Sequence, residues 1–288
     1  MKKYALLISY DGSAYGGWQI QPNTTTVQEL LQKAMETALR VPVHVQGSGR
    51  TDAGVHAKAQ TAHFSVEEEI EPIQFLKRVN GLLPYDIRVL TIKEVPQEFH
   101  ACYSTVGKIY HYHVATGITQ SPFLRHYSWH VRRPVNMDLL REAAQCFVGT
   151  HDFKSFANSA YEGSASRDSV RTIYRVDVIE EEGGFRLEFE GNGFLYKMVR
   201  NITGVLIEVA TGKRRVEEIP ALFAARDRRK LGIAAPAKGL FLIQVKYPAL
   251  EDLPCSRSEA CQVQEKYRDR DKQSWSLTRP LHGSLAKL

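Results

Sequence analysis

The sequence predicts an α+β protein made of two halves of related plan, each with a β-sheet packed against helices. Short runs rich in β-branched and aromatic residues alternate with longer segments that have one apolar face, and turn or capping residues separate them. The chain can also bury a core, since 43% of its 288 residues are hydrophobic. We expect the halves at residues 1–105 and 106–248, followed by a charged tail at 249–288.

The first half contains four predicted strands and two predicted helices. Thr25, followed three residues later by Gln28, predicts a capping box that opens the first helix. Pro72 is a favourable first residue for the second helix, and Asp11-Gly12 predicts a turn after the first strand. The predicted strands cover residues 4–10, 43–46, 60–66 and 87–95, and the helices cover 25–40 and 72–81.

The second half repeats this alternation. Asn136 is a favourable helix cap. Gly183-Gly184 predicts a turn between two paired strands, and Gly212 predicts the end of a long helix. Beyond Pro248 the hydrophobic pattern stops, so we expect a tail that is disordered or loosely docked. The predicted strands cover 109–115, 172–180, 185–189 and 240–247, and the helices cover 136–149, 194–210 and 216–225.

Composition argues against a membrane-spanning, disulfide-stapled or metal-binding protein. The sequence has no run of about eighteen apolar residues, so no transmembrane helix is predicted. Its cysteines have neither metal-ligand spacing nor the density of a disulfide scaffold. They are Cys102, Cys146, Cys255 and Cys261. We therefore expect a reduced, cytoplasmic protein.

The formal net charge of +6 is a mild excess that suits a polyanionic partner. Several groups of cationic residues could provide a binding surface, although each group alone is also typical of a solvated face. The groups are Arg132-Arg133, Arg167 with Arg171 and Arg175, Lys213-Arg214-Arg215, and Arg226 with Arg228, Arg229 and Lys230. Together they favour an anionic partner.

A glycine-rich loop follows the predicted strand 43–46 and carries two charged side chains, Arg50 and Asp52. Its glycines permit positive φ angles and close approach of the backbone to a ligand. A loop of this composition is most often a tight turn. The alternative is that Asp52 and Arg50 stand beside a substrate.

The loop from Gly47 to Ala57 resembles, almost residue for residue, the catalytic loop of the TruA family of tRNA pseudouridine synthases. Further blocks with the family's pattern follow in the same order between residues 4 and 247. The blocks are Tyr10-Asp11-Gly12, Gly17-Trp18-Gln19, Leu83-Pro84 with Asp86-Ile87, Phe99-His100-Ala101, Lys108-Ile109-Tyr110-His111-Tyr112, Thr150-His151-Asp152-Phe153, Arg171-Thr172-Ile173, Gly193-Phe194-Leu195 through Met198-Val199-Arg200-Asn201, and Ala235-Pro236 with Gly239-Leu240.

The resemblance implies the pseudouridine synthase fold, in which the antiparallel sheets of two halves join into one central sheet with helices packed on it. It also implies an isomerase that converts uridine to pseudouridine at positions 38, 39 and 40 of the tRNA anticodon stem-loop. That reaction breaks the C1′–N1 bond and joins C5 to C1′, with no cofactor and no metal. The implied partners are tRNA and a second copy of the chain in a homodimer, with no membrane.

The resemblance also assigns roles to residues. Asp52 matches the catalytic aspartate, which could act as a nucleophile at C1′ or remove a sugar proton. Tyr110 matches the active-site tyrosine, whose ring packs against uracil, although its strand face, shared with Tyr112, also suits an aromatic pair that stabilises the sheet. Arg50 matches an arginine that enters the RNA and displaces the target nucleotide. Its ordinary alternative is an ion pair with loop carboxylates.

Arg200 matches the arginine that pairs with the catalytic aspartate. On the predicted helix the apolar residues occupy one broad arc and Arg200 lies nearly opposite, where solvent is the ordinary environment. Tyr196, Thr203 and Ile207 share its side and form a second, narrower stripe, which indicates that the helix is covered on both sides. We therefore expect Arg200 to hold Asp52.

One departure from the family pattern is Cys102, which stands where an arginine usually follows Phe-His-Ala. The departure removes a cation, and Lys108 is a nearby base that could substitute for it. His111 and His113 share a strand face, but the sequence lacks the CxxC and HExxH patterns and the acidic cluster that would favour zinc. We expect these histidines to be core or RNA-facing groups.

Two other function classes follow from the residues alone. The first is a non-catalytic RNA-binding protein on the same scaffold, against which the joint presence of Asp52, Tyr110 and Arg200 argues. The second is a nucleotide enzyme that cradles phosphate at 47–54, a loop that lacks the Gly-Lys-Ser/Thr of a P-loop.

Overall fold

The computed structural model describes residues 1–158 and 168–248, in which ten strands form one mixed sheet with five α-helices packed on it. The strands are β1 (Lys2–Tyr10), β2 (Gln46–Gly47), β3 (His56–Val66), β4 (Ile87–Val95), β5 (Gly107–Thr116), β6 (Trp129–Val131), β7 (Gly149–Asp152), β8 (Val170–Glu181), β9 (Gly184–Gly191) and β10 (Leu240–Lys246). The helices are α1 (Val27–Leu39), α2 (Pro72–Leu82), α3 (Met137–Gln145), α4 (Met198–Ala210) and α5 (Ile219–Ala225). The expected fold class is confirmed, and the expected tail at 249–288 lies outside the described residues.

The strand order places the two halves of the sequence at opposite ends of the sheet. The order is β4-β1-β3-β10-β5-β9-β8-β7, with β2 paired to β3 and β6 paired to β5. The halves meet where β3 and β10 run parallel, with Phe241 opposite His56 and Leu242 opposite Ala57. This pairing brings the start of β3, and the glycine-rich loop before it, to the middle of the sheet. The division of the chain after residue 105 stays a prediction.

Helix α4 is the most enclosed helix of the second half. Within it only Arg200 and Glu208 are not buried, and α3 packs against both α4 and β8. Of the stripe expected beside Arg200, Thr203 and Ile207 are 0% and 5% exposed, whereas Tyr196 precedes α4 and is 44% exposed. The helix is therefore covered on both sides, which is the environment that an arginine needs to reach a buried partner. None of the helices in the described part of the chain is long and apolar enough to cross a membrane.

Two predicted boundaries are wrong for a local physical reason. The expected strand 43–46 is extended chain, and only Gln46–Gly47 pairs with a strand. The amides of Val43 and Val45 donate instead to the side chains of Glu36 and Gln32 on α1, at 3.3 and 3.4 Å. The cap of α1 is Thr26 rather than Thr25, since its hydroxyl accepts from the amide of Glu29. These side chains satisfy backbone groups that a strand partner or another cap would otherwise satisfy.

The second half also differs from the prediction at its helix ends. Helix α4 begins at Met198 rather than at Phe194, because Lys197 has a left-handed backbone with φ +60° and cannot continue a helix backwards. Helix α3, capped by Asn136 as expected, ends at Gln145 rather than near Gly149, where the unpredicted strand β7 begins. The expected helix 216–225 is a 3₁₀ turn followed by α5, and β6 was not predicted.

Candidate active site

The glycine-rich loop, residues 48–55, lies against the segment that follows β1. A Cβ at Gly12 would overlap the carbonyl of Val55. Gly17 has φ +98°, and a Cβ there would overlap the carbonyl of Thr51. These two glycines let two backbone segments touch directly, and the contact fixes where the loop lies relative to the sheet.

Three hydrogen bonds hold the turn that carries Asp52. The amide of Trp18 donates to the Thr51 carbonyl at 3.1 Å, and the amide of Val55 donates to the Asp52 carbonyl at 3.1 Å. The hydroxyls of Tyr10 and Thr51 are 2.8 Å apart. Burial raises the pKa of Tyr10, so its phenol remains neutral and can share this hydrogen bond.

Asp52 and Arg200 form an ion pair between the first half and the second. Arg200 Nη1 lies 2.5 Å from Asp52 Oδ2, and the two side chains are 14% and 15% exposed. Arg200 Nε donates to the carbonyl of Ala235 at 2.8 Å, so the guanidinium is fixed at two points. Asp52 Oδ1 has no hydrogen-bond partner among the residues that the structure describes. The pair therefore orients the carboxylate and leaves one oxygen available.

Tyr110 lies on β5 beside this pair. Its side chain is 9% exposed, and its ring meets Phe194 edge to face at a centroid distance of 5.3 Å. Burial raises the pKa of Tyr110, and the nearby Tyr10 and Asp52 add to the effect. The phenol is therefore neutral at physiological pH, and Asp52 is close enough for its charge to act on the ring. The Tyr112 hydroxyl, on the same strand face, donates to the Pro236 carbonyl at 2.8 Å.

Comparison with known proteins identifies the family. The sequence model of the family described as tRNA pseudouridine synthase matches residues 6–104 and 143–248, more than half of the chain. The chain belongs to this family. The expected family and the expected enzyme class, an isomerase, are therefore confirmed.

Full-length relatives within the family are close. The chain is 52% identical over 248 residues to tRNA pseudouridine synthase A 1 of Protochlamydia amoebophila, which covers 86% of this chain and 97% of that protein. It is 46% identical over 248 residues to tRNA pseudouridine synthase A of Ruminiclostridium cellulolyticum, covering 86% of this chain and 100% of that protein. A chain of a solved Cbf5–Nop10–Gar1 complex matches at 12% identity with a TM-score of 0.29, over 70% of this chain and 54% of that one. At that TM-score the likeness adds nothing to the assignment.

The surroundings of Arg50 differ from those of Arg200. Arg50 is exposed, and its side chain makes no hydrogen bond or ion pair with any described residue. The alternative expectation, an ion pair between Arg50 and a loop carboxylate, is therefore not seen among the residues that the structure describes. A free, exposed guanidinium two residues from Asp52 can meet an anionic or aromatic ligand.

Most cations that are grouped in the sequence are bound by acceptors of the same chain. Their partners are Asp168 for Arg171; Asp177, Glu188 and Glu190 for Arg175; Glu208 for Arg214; Glu218 for Arg215; Asp152 for Arg226; the carbonyls of Leu231 and Gly232 for Arg228; and Asp227 for Arg229. Arg167 lies outside the described residues. The exposed members of these groups whose side chains make no hydrogen bond or close ion pair with a described residue are Arg132, Arg133, Lys213 and Lys230. The surface available to a polyanion is therefore smaller than the sequence groups suggested.

The structure also shows a role for His56 that the sequence did not reveal. His56 is 1% exposed, and its Nδ1 lies 3.0 Å from Asp11 Oδ1. Its Nε2 lies 3.1 Å from the carbonyl of His126 and 3.2 Å from that of Lys238. Burial lowers the pKa of His56, although Asp11 opposes this effect. The end of the loop is thus tied to three other segments, and the only sequence signal was its place in the matching string.

His111 and His113 each contact a different carboxylate. His111 Nε2 lies 3.4 Å from Glu188, and His113 Nδ1 lies 3.2 Å from Glu181. In the described part of the chain, no group of three or more His, Cys, Asp and Glu side chains is arranged to hold a metal ion. Cys102 is exposed and has a free thiol.

Proposed function

We propose that this chain converts uridine to pseudouridine at positions 38, 39 and 40 of the tRNA anticodon stem-loop, with Asp52 as its catalytic group and with no cofactor. Family membership supports tRNA uridine as the substrate. The observation that carries the assignment of Asp52 is its ion pair with Arg200, which leaves Oδ1 open beside Tyr110.

The reaction needs a group that acts on the ribose while the base stays bound. The Asp52 carboxylate either attacks C1′, so that the C1′–N1 bond breaks, or removes a sugar proton to open an elimination route. The detached uracil then turns and C5 bonds to C1′, which breaks the Asp52–C1′ bond in the covalent route or is accompanied by return of the proton to the sugar in the elimination route. The proton on C5 is then lost and N1 gains one. Arg200 keeps the carboxylate in place throughout, because its guanidinium is anchored at the Ala235 carbonyl.

In this proposal Tyr110 contacts the target base, and Arg50 contacts the RNA from which that base is extruded. A neutral phenol can pack against the uracil and donate a hydrogen bond, and the raised pKa of Tyr110 favours that form. Arg50 is exposed at the start of the loop, where a planar cation can occupy the space that the extruded nucleotide leaves. Extrusion costs a few kcal/mol, which such a contact offsets in part.

The direct test uses tRNA transcripts that carry 5-tritiated uridine at only one of the three positions. We expect tritium release from each of the three, and pseudouridine to be absent at 38, 39 and 40 in tRNA from cells that lack this protein. Loss of pseudouridine at other positions instead would contradict the site assignment. Tight tRNA binding without tritium release would favour a non-catalytic RNA-binding protein, and binding of ATP or GTP would favour a nucleotide enzyme.

We also propose that the protein is a cytoplasmic homodimer, as the family resemblance implies. A homodimer closes with two-fold symmetry, so that each subunit presents the same surface. Light scattering coupled to size-exclusion chromatography should give twice the mass of the chain. A mass equal to one chain at micromolar concentration would contradict the dimer without affecting the assignment of Asp52.

A further inference from the structure

A lysine lies beneath the glycine-rich loop and plays no part in the chemistry above. Lys108 Nζ donates to the carbonyl of Ser48 at 2.9 Å. Because side chains alternate along a strand, Lys108 and Tyr110 on β5 share one face. The lysine therefore reaches from the second half of the chain to the first part of the loop.

The ammonium of Lys108 has an unusual environment. Burial lowers the pKa of Lys108, and only the thiol of Cys102 opposes this effect. Among the described residues, no carboxylate lies within ion-pair distance of Lys108 Nζ. Lys108 is half-buried, and a partly desolvated ammonium without a carboxylate costs stability, so its hydrogen bond to the loop is a feature that stability alone does not account for.

Gly49 leaves room for the Lys108 ammonium. A Cβ at Gly49 would lie 2.5 Å from Lys108 Nζ, so a larger residue would require the ammonium to shift. The next carbonyl, that of Gly49, accepts from Gln60 Nε2 at 3.0 Å, and the Ser48 hydroxyl bonds Gln60 Oε1 at 2.6 Å. The half-buried Lys108 of β5 and the buried Gln60 of β3 thus hold two consecutive carbonyls of the loop, shortly before Arg50 and Asp52.

We propose that Lys108 is a positioning residue, which holds the Ser48–Gly49 backbone so that Asp52 and Arg50 point at the substrate. The proposal rests on the proposed function in so far as the loop is catalytic. Lys108 touches neither the ribose nor the base in this account. It acts through the loop backbone, and its contribution is geometric.

The test compares Lys108→Met, Gly49→Ala and the double variant with the control Lys246→Met. Lys246 lies on the neighbouring strand β10, and its ammonium pairs with Glu190 rather than with the loop. Tritium release gives kcat and KM, filter binding gives the tRNA Kd, and hydrogen–deuterium exchange of peptides covering residues 46–56 reports loop opening. The exchange measurement does not depend on activity.

We expect Lys108→Met to lower kcat about 10- to 100-fold, because a small misplacement of a reacting group has an effect of that size. The tRNA Kd should stay within about threefold, since most RNA contacts are made to phosphates elsewhere. Exchange in 46–56 should be at least about tenfold faster, the factor that a hydrogen bond from a charged group contributes to an opening equilibrium. The thermal midpoint should be unchanged or higher, because the variant removes a partly buried charge that no carboxylate pairs.

Gly49→Ala should reproduce these effects, and the double variant should be no worse than either single one, because both remove the same contact. Lys246→Met should change neither kcat nor exchange in 46–56. Wild-type kcat and exchange in Lys108→Met would overturn the proposal, as would additive losses in the double variant. An inactive wild-type protein would instead refute the proposed function, and the exchange data would still decide the role of Lys108.

Discussion

Two charged regions of this molecule use arginine in opposite ways. At the centre of the sheet, Arg200 meets a single carboxylate, and both side chains are about 15% exposed. From the middle of the sheet towards its far end, strands β10, β5, β9 and β8 carry a dense set of paired charges that we call the edge network. Its members are Arg175, Asp177, Glu181, Arg186, Glu188, Glu190, Lys246, His111 and His113.

The two regions differ in whether the oxygen atoms of each carboxylate already have partners. In the edge network Glu188 is bound by Arg175 at 3.0 Å and by Arg186 at 2.8 Å, and Glu190 by Arg175 at 2.9 Å and by Lys246. Asp52, by contrast, has one partner and one open oxygen within the described residues. Saturated charges hold strands together, whereas an oriented but unsaturated charge is available for chemistry.

The largest expected effect is at the central pair. Arg200→Ala should lower kcat by about 10³-fold or more, because it removes the group that orients Asp52. Arg214→Ala is the matched control, since Arg214 pairs with Glu208 at 2.9 Å with similar exposure of 16% and 20%. Both variants should lose similar stability, and only the first should lose turnover. Wild-type turnover in Arg200→Ala would remove this residue from the site.

Tyr110→Phe should have the next largest effect. We expect kcat to fall about 10²-fold, the scale of one hydrogen-bonding or proton-transferring group, while the tRNA Kd stays within about twofold. Tyr112→Phe serves as the comparison, because the Tyr112 hydroxyl is bound to the Pro236 carbonyl. A fall in thermal midpoint with unchanged kcat would show that Tyr110 is a packing residue.

Removing an arginine without an ion-pair partner should affect RNA binding differently from removing one that is paired with carboxylates. Arg50→Ala should weaken tRNA binding about tenfold and reduce the slope of log K against log salt by about one, because it removes an unpaired cation that enters the RNA. Arg175→Ala should leave that slope unchanged, since Arg175 is bound by three carboxylates. Equal slopes and equal affinities in wild type and Arg50→Ala would contradict the role of Arg50 in RNA binding.

The smallest effect concerns the stability of the edge network and its dependence on pH. Hydrogen bonds from Lys246, and then from Arg175, lower the pKa of Glu190 against the opposing effect of burial. The network therefore contributes fully above the ordinary pKa of 4.5, and its contribution is lost as the pH falls through the lower folded-state pKa. Arg175→Ala should reduce the free energy of unfolding by about 1 kcal/mol at neutral pH.

Urea unfolding at about pH 7 and about pH 3.5 measures this contribution, which should shrink at the lower pH because the carboxylates of the unfolded state then bind protons that the folded state binds less readily. A difference between wild type and Arg175→Ala that grows on acidification would contradict the assignment. Turnover at neutral pH should be the same in both proteins.

Local patterns in the sequence predicted most elements of the fold, because strand alternation and helical periodicity depend on neighbouring residues. They failed at Val43 and Val45, where side chains of α1 replace a strand partner, and at Lys197, where the backbone turns left-handed. The groups of cationic residues predicted a larger unpaired cationic surface than the structure has, for a similar reason. The carboxylates that neutralise Arg175 come largely from the adjacent strand β9, which no local pattern reveals.

The candidate site depends still more on long-range contacts. Asp52 and Arg200 are 148 residues apart in sequence, and they meet only because β3 and β10 join the two halves. The family resemblance suggested this pair, whereas periodicity placed Arg200 on the side of its helix away from the main apolar arc. The contact of Lys108 with the loop, and those of His56 with Asp11, His126 and Lys238, had no signal in the residues beyond their place in matching blocks.

The central claim is that the Asp52 carboxylate performs the chemistry, and Asp52→Asn tests it most directly. Asparagine keeps the size of the side chain and an oxygen for Arg200, but it loses the negative charge. Under single-turnover conditions with 5-tritiated tRNA, the account predicts no tritium release above background from Asp52→Asn or Asp52→Ala, with a tRNA Kd within about twofold of wild type. Tritium release at the wild-type rate from either variant would contradict it.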